Sequence, residues 1–170
     1  MNVLAYAHHP DDFLAEEMNF KYVSFEELLQ SSDVITLHVP LNDHTKHLIN
    51  SSNIHLIKKG AYLINTARGG LIETAALVKA LQDGTLAGAG LDVLEEECYI
   101  KEERELLTKG FSEKCDVTTL LQNHLLMGLD NVIVTPHNAF NSQEALERIL
   151  ETTADNIEAF SKGKPINSVN

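Results

Sequence analysis

Two side chains stand where α/β proteins place their chemistry, just beyond apolar, β-branched runs. Arg68 follows the run 62–66, and His137 follows the run 132–135 and Pro136. A guanidinium holds a carboxylate with two parallel hydrogen bonds, which an ammonium reproduces poorly. An imidazole titrates near pH 6.5 when unperturbed, so it both donates and accepts a proton around neutrality. An acidic run, Glu95-Glu96-Glu97, comes shortly after Asp92. A carboxylate beside an imidazole fixes its orientation and favours its protonated form. The three features together can grip an acid, move a proton and hold the proton carrier in place. Each also has a plain structural reading: a surface ion pair for the arginine, a solvated run for the glutamates, a helix-flanking role for the histidine.

Other residues offer less. His8, His9, His44, His47, His55 and His124 show no metal-site spacing with Cys or carboxylate partners. Cys98 and Cys115 form no Cys-x-x-Cys pair, so neither zinc nor redox work is expected of them.

The elements that must position these side chains are legible from punctuation. Strand-like runs fall at 3–7, 34–39, 62–66, 89–93 and 132–135. The first four start about 30 residues apart, one βαβ unit each. Val34-Ile35-Thr36-Leu37-His38-Val39 is apolar on both faces, as in a parallel sheet covered on both sides. Ser24-Phe25-Glu26-Glu27 reads as a capping box opening a short helix. A helix over 74–83 ends at Gly84, and Lys59-Gly60 ends another in the same way. Asn141 is expected to cap a last helix reaching about Lys162, with a stripe of Ala145, Ile149, Thr153, Ile157 and Phe160. Within 98–128, Glu102-Glu103-Arg104-Glu105 reads as a solvated helical face, and Leu120-Leu121 and Leu125-Leu126-Met127 read as buried.

Composition narrows the class. The chain has 170 residues, 13 Lys plus Arg against 25 Asp plus Glu, and a net charge of −12. That argues against a nucleic-acid binder and against docking on anionic membranes. Hydrophobic residues make up 44% and charged residues 22%, the balance of a globular chain. No apolar run is long enough for a membrane span. Met1 is followed by Asn-Val-Leu-Ala-Tyr with no basic start, so no secretory leader is expected. Two cysteines fit a reducing, cytoplasmic setting.

Four segments in order carry a resemblance. They are Leu37-His38-Val39-Pro40-Leu41 with Thr45 and Leu48-Ile49-Asn50; Leu63-Ile64-Asn65-Thr66-Ala67-Arg68-Gly69-Gly70; Leu86-Ala87-Gly88-Ala89-Gly90-Leu91-Asp92-Val93 with Glu97; and Val134-Thr135-Pro136-His137. The chain resembles the NAD-dependent D-2-hydroxyacid dehydrogenases, most of all their D-lactate dehydrogenase branch, over essentially its whole length. The resemblance implies an oxidoreductase moving a hydride between NAD(H) and a small D-2-hydroxy or 2-keto acid, lactate- or pyruvate-like, and a homodimer in the full-length form. It assigns catalysis to Arg68, Glu97 and His137. Arg68 would orient the substrate carboxylate, His137 would exchange the proton, and Glu97 would tune His137. Val39, Pro40 and Thr45 match the family's adenosine-side loop; Thr66, Ala67, Arg68 and Asp92 match positions around the nicotinamide. Ala7 departs from the pattern, standing where NAD-specific members carry an acid for the ribose. NADP therefore stays open, as does substitution by Asp11 or Asp12.

The fold implied is an α/β, Rossmann-like, doubly wound parallel sheet, truncated so that the first strand and its glycine-rich turn are absent. No Gly-x-Gly-x-x-Gly occurs in the sequence. With the usual strand order 3-2-1-4-5-6, loss of the first strand separates the second and third from the rest and opens two long apolar edges. Residues 1–138 are expected to be the C-terminal part of a nucleotide-binding domain, and 139–170 a helix and tail returning to a substrate domain. The leading expectation is a fragment, inactive alone, with Met1 an internal methionine. The alternative is a non-catalytic standalone remnant acting through association or dimerisation.

Overall fold

The computed structural model describes residues 1–96 and 116–168. They form two compact units, Met1–Pro136 and His137–Asn170. The first holds a four-stranded parallel sheet in the order β3 (Val34–Leu37), β4 (Ala61–Asn65), β5 (Leu86–Leu91), β6 (Val132–Val134). A separate parallel pair is made by β1 (Leu4–Ala5) and β2 (Lys21–Tyr22). A split was expected, but after the run 34–39, counted with 3–7 as the second and third strands; it falls before that run, because β2 is the partner of β1 and β3 pairs with β4. The edges it leaves are shorter than expected, two residues at β1 and four at β3. Strand β2 was not anticipated, because Lys21-Tyr22 is too short to show a pattern.

The core lies around β3–β5. Leu29, Ile49, Leu63, Leu71, Leu86 and Leu126 are fully buried side chains there. Helix α1 (Asp12–Glu17) is capped by Asp11, whose Oδ1 accepts from the Leu14 N–H at 3.0 Å. Helix α2 (Phe25–Ser31) is capped as expected, Ser24 Oγ accepting from Glu27 N–H at 3.1 Å. Helix α3 (Thr74–Gln82) ends before Gly84, whose φ of 75° is a left-handed stop.

Three further expectations need correction. No α-helix ends at Gly60; between β3 and β4 there is a single 3-10 turn, Ile54–Leu56, and Gly60 (φ 84°) instead makes the turn into β4. The last helix, α5 (Gln143–Ser161), is capped by Ser142 and not Asn141, because Ser142 has the extended backbone that lets its Oγ accept from Ala145 N–H. In α4 (Val117–Met127) Leu126 is buried, whereas Leu121, Leu125 and Met127 are exposed. A helix on a sheet buries one stripe, and here Asn123 and Leu126 form it. The acidic face at Glu102-Glu103-Arg104-Glu105, and both cysteines, lie outside the described residues. Among the described residues no helix is long and apolar enough to cross a membrane. The second unit is built on α5, which buries none of its residues.

Candidate functional site

Register decides which residues share an edge. Leu37 pairs with Asn65, Asn65 with Leu91, and Leu91 with Val134. The next residues, His38, Thr66, Asp92 and Thr135, therefore form one row at the carboxyl ends of four parallel strands. Ligands of open α/β sheets bind beyond this edge. The candidate residues follow the row along the chain: Val39 and Pro40 after β3, Arg68 after β4, Glu97 after β5, His137 after β6.

The turn after β4 is built by Asn65. This buried side chain accepts from Ala67 N–H at 3.0 Å and donates to the Arg68 carbonyl at 2.8 Å. Both ends of the turn are thus held by one amide; Thr66 and Arg68 are exposed, while Ala67 packs partly buried against the core. Arg68 is exposed, and its Nη1 donates to the Ala67 carbonyl at 2.7 Å. Gly69 comes next for a steric reason. A Cβ there would lie 2.0 Å from the Leu94 carbonyl carbon and 2.4 Å from the Glu95 nitrogen. The backbone after Arg68 and the backbone leading to Glu97 are pressed together where only glycine fits.

Glu95 fastens the same two loops. Its Oε1 pairs with His47 Nε2 at 2.6 Å, and its Oε2 accepts from the Thr74 hydroxyl at 2.8 Å and the Thr74 N–H at 3.3 Å. The contact with Thr74 caps α3, whose own N-cap, Glu73, makes no side-chain cap bond. Asn123 Nδ2 donates to the Glu95 carbonyl at 2.8 Å. Glu96 has a left-handed backbone (φ 56°), and its carboxylate accepts from Asp116 N–H at 3.1 Å. Of the acidic run, Glu95 and Glu96 are thus engaged with the scaffold. Glu97 lies outside the described residues.

Asp92 is buried at the end of β5, where it accepts from the Thr135 hydroxyl at 2.5 Å and so bridges the ends of β5 and β6. A buried carboxylate in this row suits the amide hydrogens of a nicotinamide carboxamide, so the donor set fits that end of NAD. On the other side, Thr45 holds its own loop: its hydroxyl donates to the Pro40 carbonyl at 2.6 Å and accepts from Asn42 N–H at 2.9 Å. That brace shapes the Val39-Pro40 corner. The loop is also tied to the Arg68 turn, His47 N–H donating to the Gly70 carbonyl at 2.8 Å. His137 opens the second unit with φ of 53°, a left-handed conformation uncommon outside glycine. Strain of this kind clusters at functional positions.

The structure thus brings together the Val39–Thr45 loop, the Thr66–Arg68 turn and Asp92 within the first unit. Sequence reasoning missed Asn65, Gly69 and Glu95, which position them. Asn65 was legible in principle, since an Asn two residues before a turn's end is an Asx-turn signal. Glu95 was not, because its partners lie 21 and 48 residues away.

A family model described as "D-isomer specific 2-hydroxyacid dehydrogenase, NAD binding domain" matches residues 1–139. A glyoxylate reductase from Thermococcus litoralis is 41% identical over 171 residues, which cover 100% of this chain and 45% of that protein. A glycerate dehydrogenase from Methylorubrum extorquens is 43% identical over 169 residues, 99% of this chain and 45% of that one. The crystal structure of D-lactate dehydrogenase from Aquifex aeolicus, complexed with NAD and lactic acid, matches with a TM-score of 0.84 at 42% identity. It covers 96% of this chain and 47% of that one. The chain spans about half the length of these relatives.

Proposed function

The chain belongs to the D-isomer specific 2-hydroxyacid dehydrogenase family, and we propose that it carries the catalytic half of an enzyme interconverting small D-2-hydroxy acids and 2-keto acids. The observation that carries this reading is the strand-end row, from which Arg68, Glu97 and His137 all follow, with the Arg68 turn and the loop toward Glu97 packed backbone to backbone at Gly69.

In the reductive direction Arg68 grips the substrate carboxylate by a bidentate pair and polarises the C2 carbonyl oxygen. His137 in its imidazolium form donates the proton that this oxygen gains. Glu97 hydrogen-bonds the imidazole, holding it in orientation and favouring the protonated form. The engagement of Glu95 and Glu96 supports Glu97 for this role over its neighbours. NAD(H), when bound, supplies or takes the hydride at C2. Asp92 would hold its carboxamide, and the Val39–Thr45 loop would flank its adenosine. The relatives are named for glyoxylate, glycerate and lactate, so the substrate class proposed is a two- or three-carbon 2-keto acid. The active form is proposed to be a homodimer of the longer polypeptide, with the 170-residue chain inactive alone.

The test is NADH oxidation against glyoxylate and pyruvate in the active assembly of this chain. His137→Ala should lower kcat about 10²- to 10⁴-fold while NADH affinity is kept. Unchanged turnover in that variant rejects the assignment.

A further inference from the structure

Residues 47–49 run beside 70–73 as a short parallel ladder. His47 N–H donates to the Gly70 carbonyl at 2.8 Å, Ile49 N–H to the Leu71 carbonyl at 3.1 Å, and Glu73 N–H to the Ile49 carbonyl at 2.9 Å. The ladder sets His47 beside the residues that follow Arg68. From there its imidazole crosses to the loop after β5, Nε2–H donating to Glu95 Oε1 at 2.6 Å. His47 thus joins three segments of the site: its own loop after β3, the turn after β4 through its backbone, and the loop after β5 through its side chain. Its backbone is left-handed, with φ of 51°, a conformation that costs most residues other than Gly, Asn and Asp. Asn50 Nδ2 secures the bend by donating to the His47 carbonyl at 2.8 Å.

The side-chain pair carries little of the fold. Ile49, Leu63 and Leu71 are fully buried, and the Ile49 and Glu73 backbone bonds do not depend on it. Glu95 keeps its bonds from the Thr74 hydroxyl and N–H without it. The Val39-Pro40 corner does not need it either, because Thr45 braces that corner through the Pro40 carbonyl and the Asn42 N–H. What the pair adds is lateral. It fixes the Arg68 turn against the loop after β5, where Gly69 meets the Leu94 backbone.

We propose that His47 is a positioning residue for the substrate acid, acting through Glu95 on the place of the Arg68 guanidinium. The inference rests on the dehydrogenase reading of Arg68. Arg68 is exposed and bonds the adjacent Ala67 carbonyl, so its aim follows its own backbone. A carboxylate held alike in the ground and transition states is read in KM, whereas proton transfer from His137 is read in kcat.

The test compares His47→Asn with His47→Gln. Asn tolerates the left-handed backbone but falls short of Glu95; Gln, one methylene longer, places an amide donor where Nε2 stands. In the active assembly, followed by NADH oxidation, His47→Asn should raise KM for glyoxylate about tenfold or more, with kcat kept within about threefold and the Kd for NADH within about twofold. His47→Gln should bring KM back to within about threefold of the parent chain. In amide hydrogen exchange of the 170-residue chain, the Leu71 and Ile72 amides, which donate to the Arg68 and Gly69 carbonyls, should exchange about tenfold faster in His47→Asn. Those of Ile49 and Glu73 should not change. Unchanged KM in His47→Asn overturns the proposal. So does a fall in kcat at constant KM, which would place His47 in the chemistry, or a failure of Gln to restore KM. Exchange that quickens alike across the ladder, which is general destabilisation, overturns it as well. The exchange result is read without turnover, so failure of the dehydrogenase reading is told apart from failure of this one.

Discussion

The β3–β6 sheet and the β1–β2 pair differ in how much of themselves they bury. Strands β3, β4 and β5 alternate or run continuously into a core that closes over Ile35, Leu37, Leu63, Leu86 and Leu91. In β1, α1 and β2 no residue is buried, and Val3, Tyr6, Phe13, Leu14 and Met18 are exposed. Helix α2 ties that side into the core through buried Leu29, with Phe25 and Leu28 partly buried against it. Arg68, proposed for substrate binding, and Asp92 follow strands of the well-buried sheet. The side that would face the far end of the dinucleotide is a small ribbon outside it. Holding Arg68 in place and holding NAD are thus separable demands, and this chain is built chiefly for the first.

Substitutions should divide along the same line. Gly69→Ala should be the most damaging, because its Cβ would collide with the Leu94 backbone, which cannot swing aside as a side chain can. A loss of about 3 kcal/mol or more is expected, read as a lowered urea midpoint. Leu63→Ala, at a fully buried position in β4, should cost about 3 kcal/mol, whereas Leu14→Ala in α1 should stay within about 0.5 kcal/mol. Equal costs for these two would erase the comparison. Glu95→Ala removes the His47 pair and the cap on α3, and about 2 kcal/mol is expected from chemical denaturation. Ser24→Ala should cost about 1 kcal/mol by uncapping α2.

The smallest effect expected is one of pH. Asp83 is held below the usual carboxyl value, first by the Thr85 hydroxyl and then by the Thr85 N–H. A depressed folded value contributes stability above the unfolded pKa, and that contribution fades as pH falls through the folded one. Thr85→Ala should therefore flatten the acid limb of stability against pH, measured by thermal unfolding across the acid range.

Much of this was readable in the sequence because it rests on local rules. Ser24 capping α2 and Gly84 stopping α3 follow from backbone chemistry within a few residues. That the strands fall into two sets followed from the missing glycine turn and the usual strand order, but the place of the split did not, because β2 was not read and 34–39 was grouped with 3–7. What escaped was short or distant. Lys21-Tyr22 shows no alternation in two residues, and Asn141 and Ser142 are both good caps that only the observed φ and ψ separate. The clamp at Glu95 depends on Thr74 and His47, whose approach no spacing rule reveals. Exposed leucines in α4 read as core because hydrophobicity alone does not say which stripe faces the sheet.

The central claim is that this chain holds the Arg68 turn and Asp92 on a finished scaffold while its dinucleotide anchor is incomplete. It is tested most directly by titrating the purified 170-residue chain with NADH, followed by fluorescence, with circular dichroism and thermal unfolding on the same sample. The expected result is a cooperatively folded chain that shows no saturation by NADH up to about 1 mM. Saturable binding at micromolar NADH would contradict it, because the row at Asp92 and the Val39–Thr45 loop would then suffice to hold the dinucleotide without a glycine-rich turn.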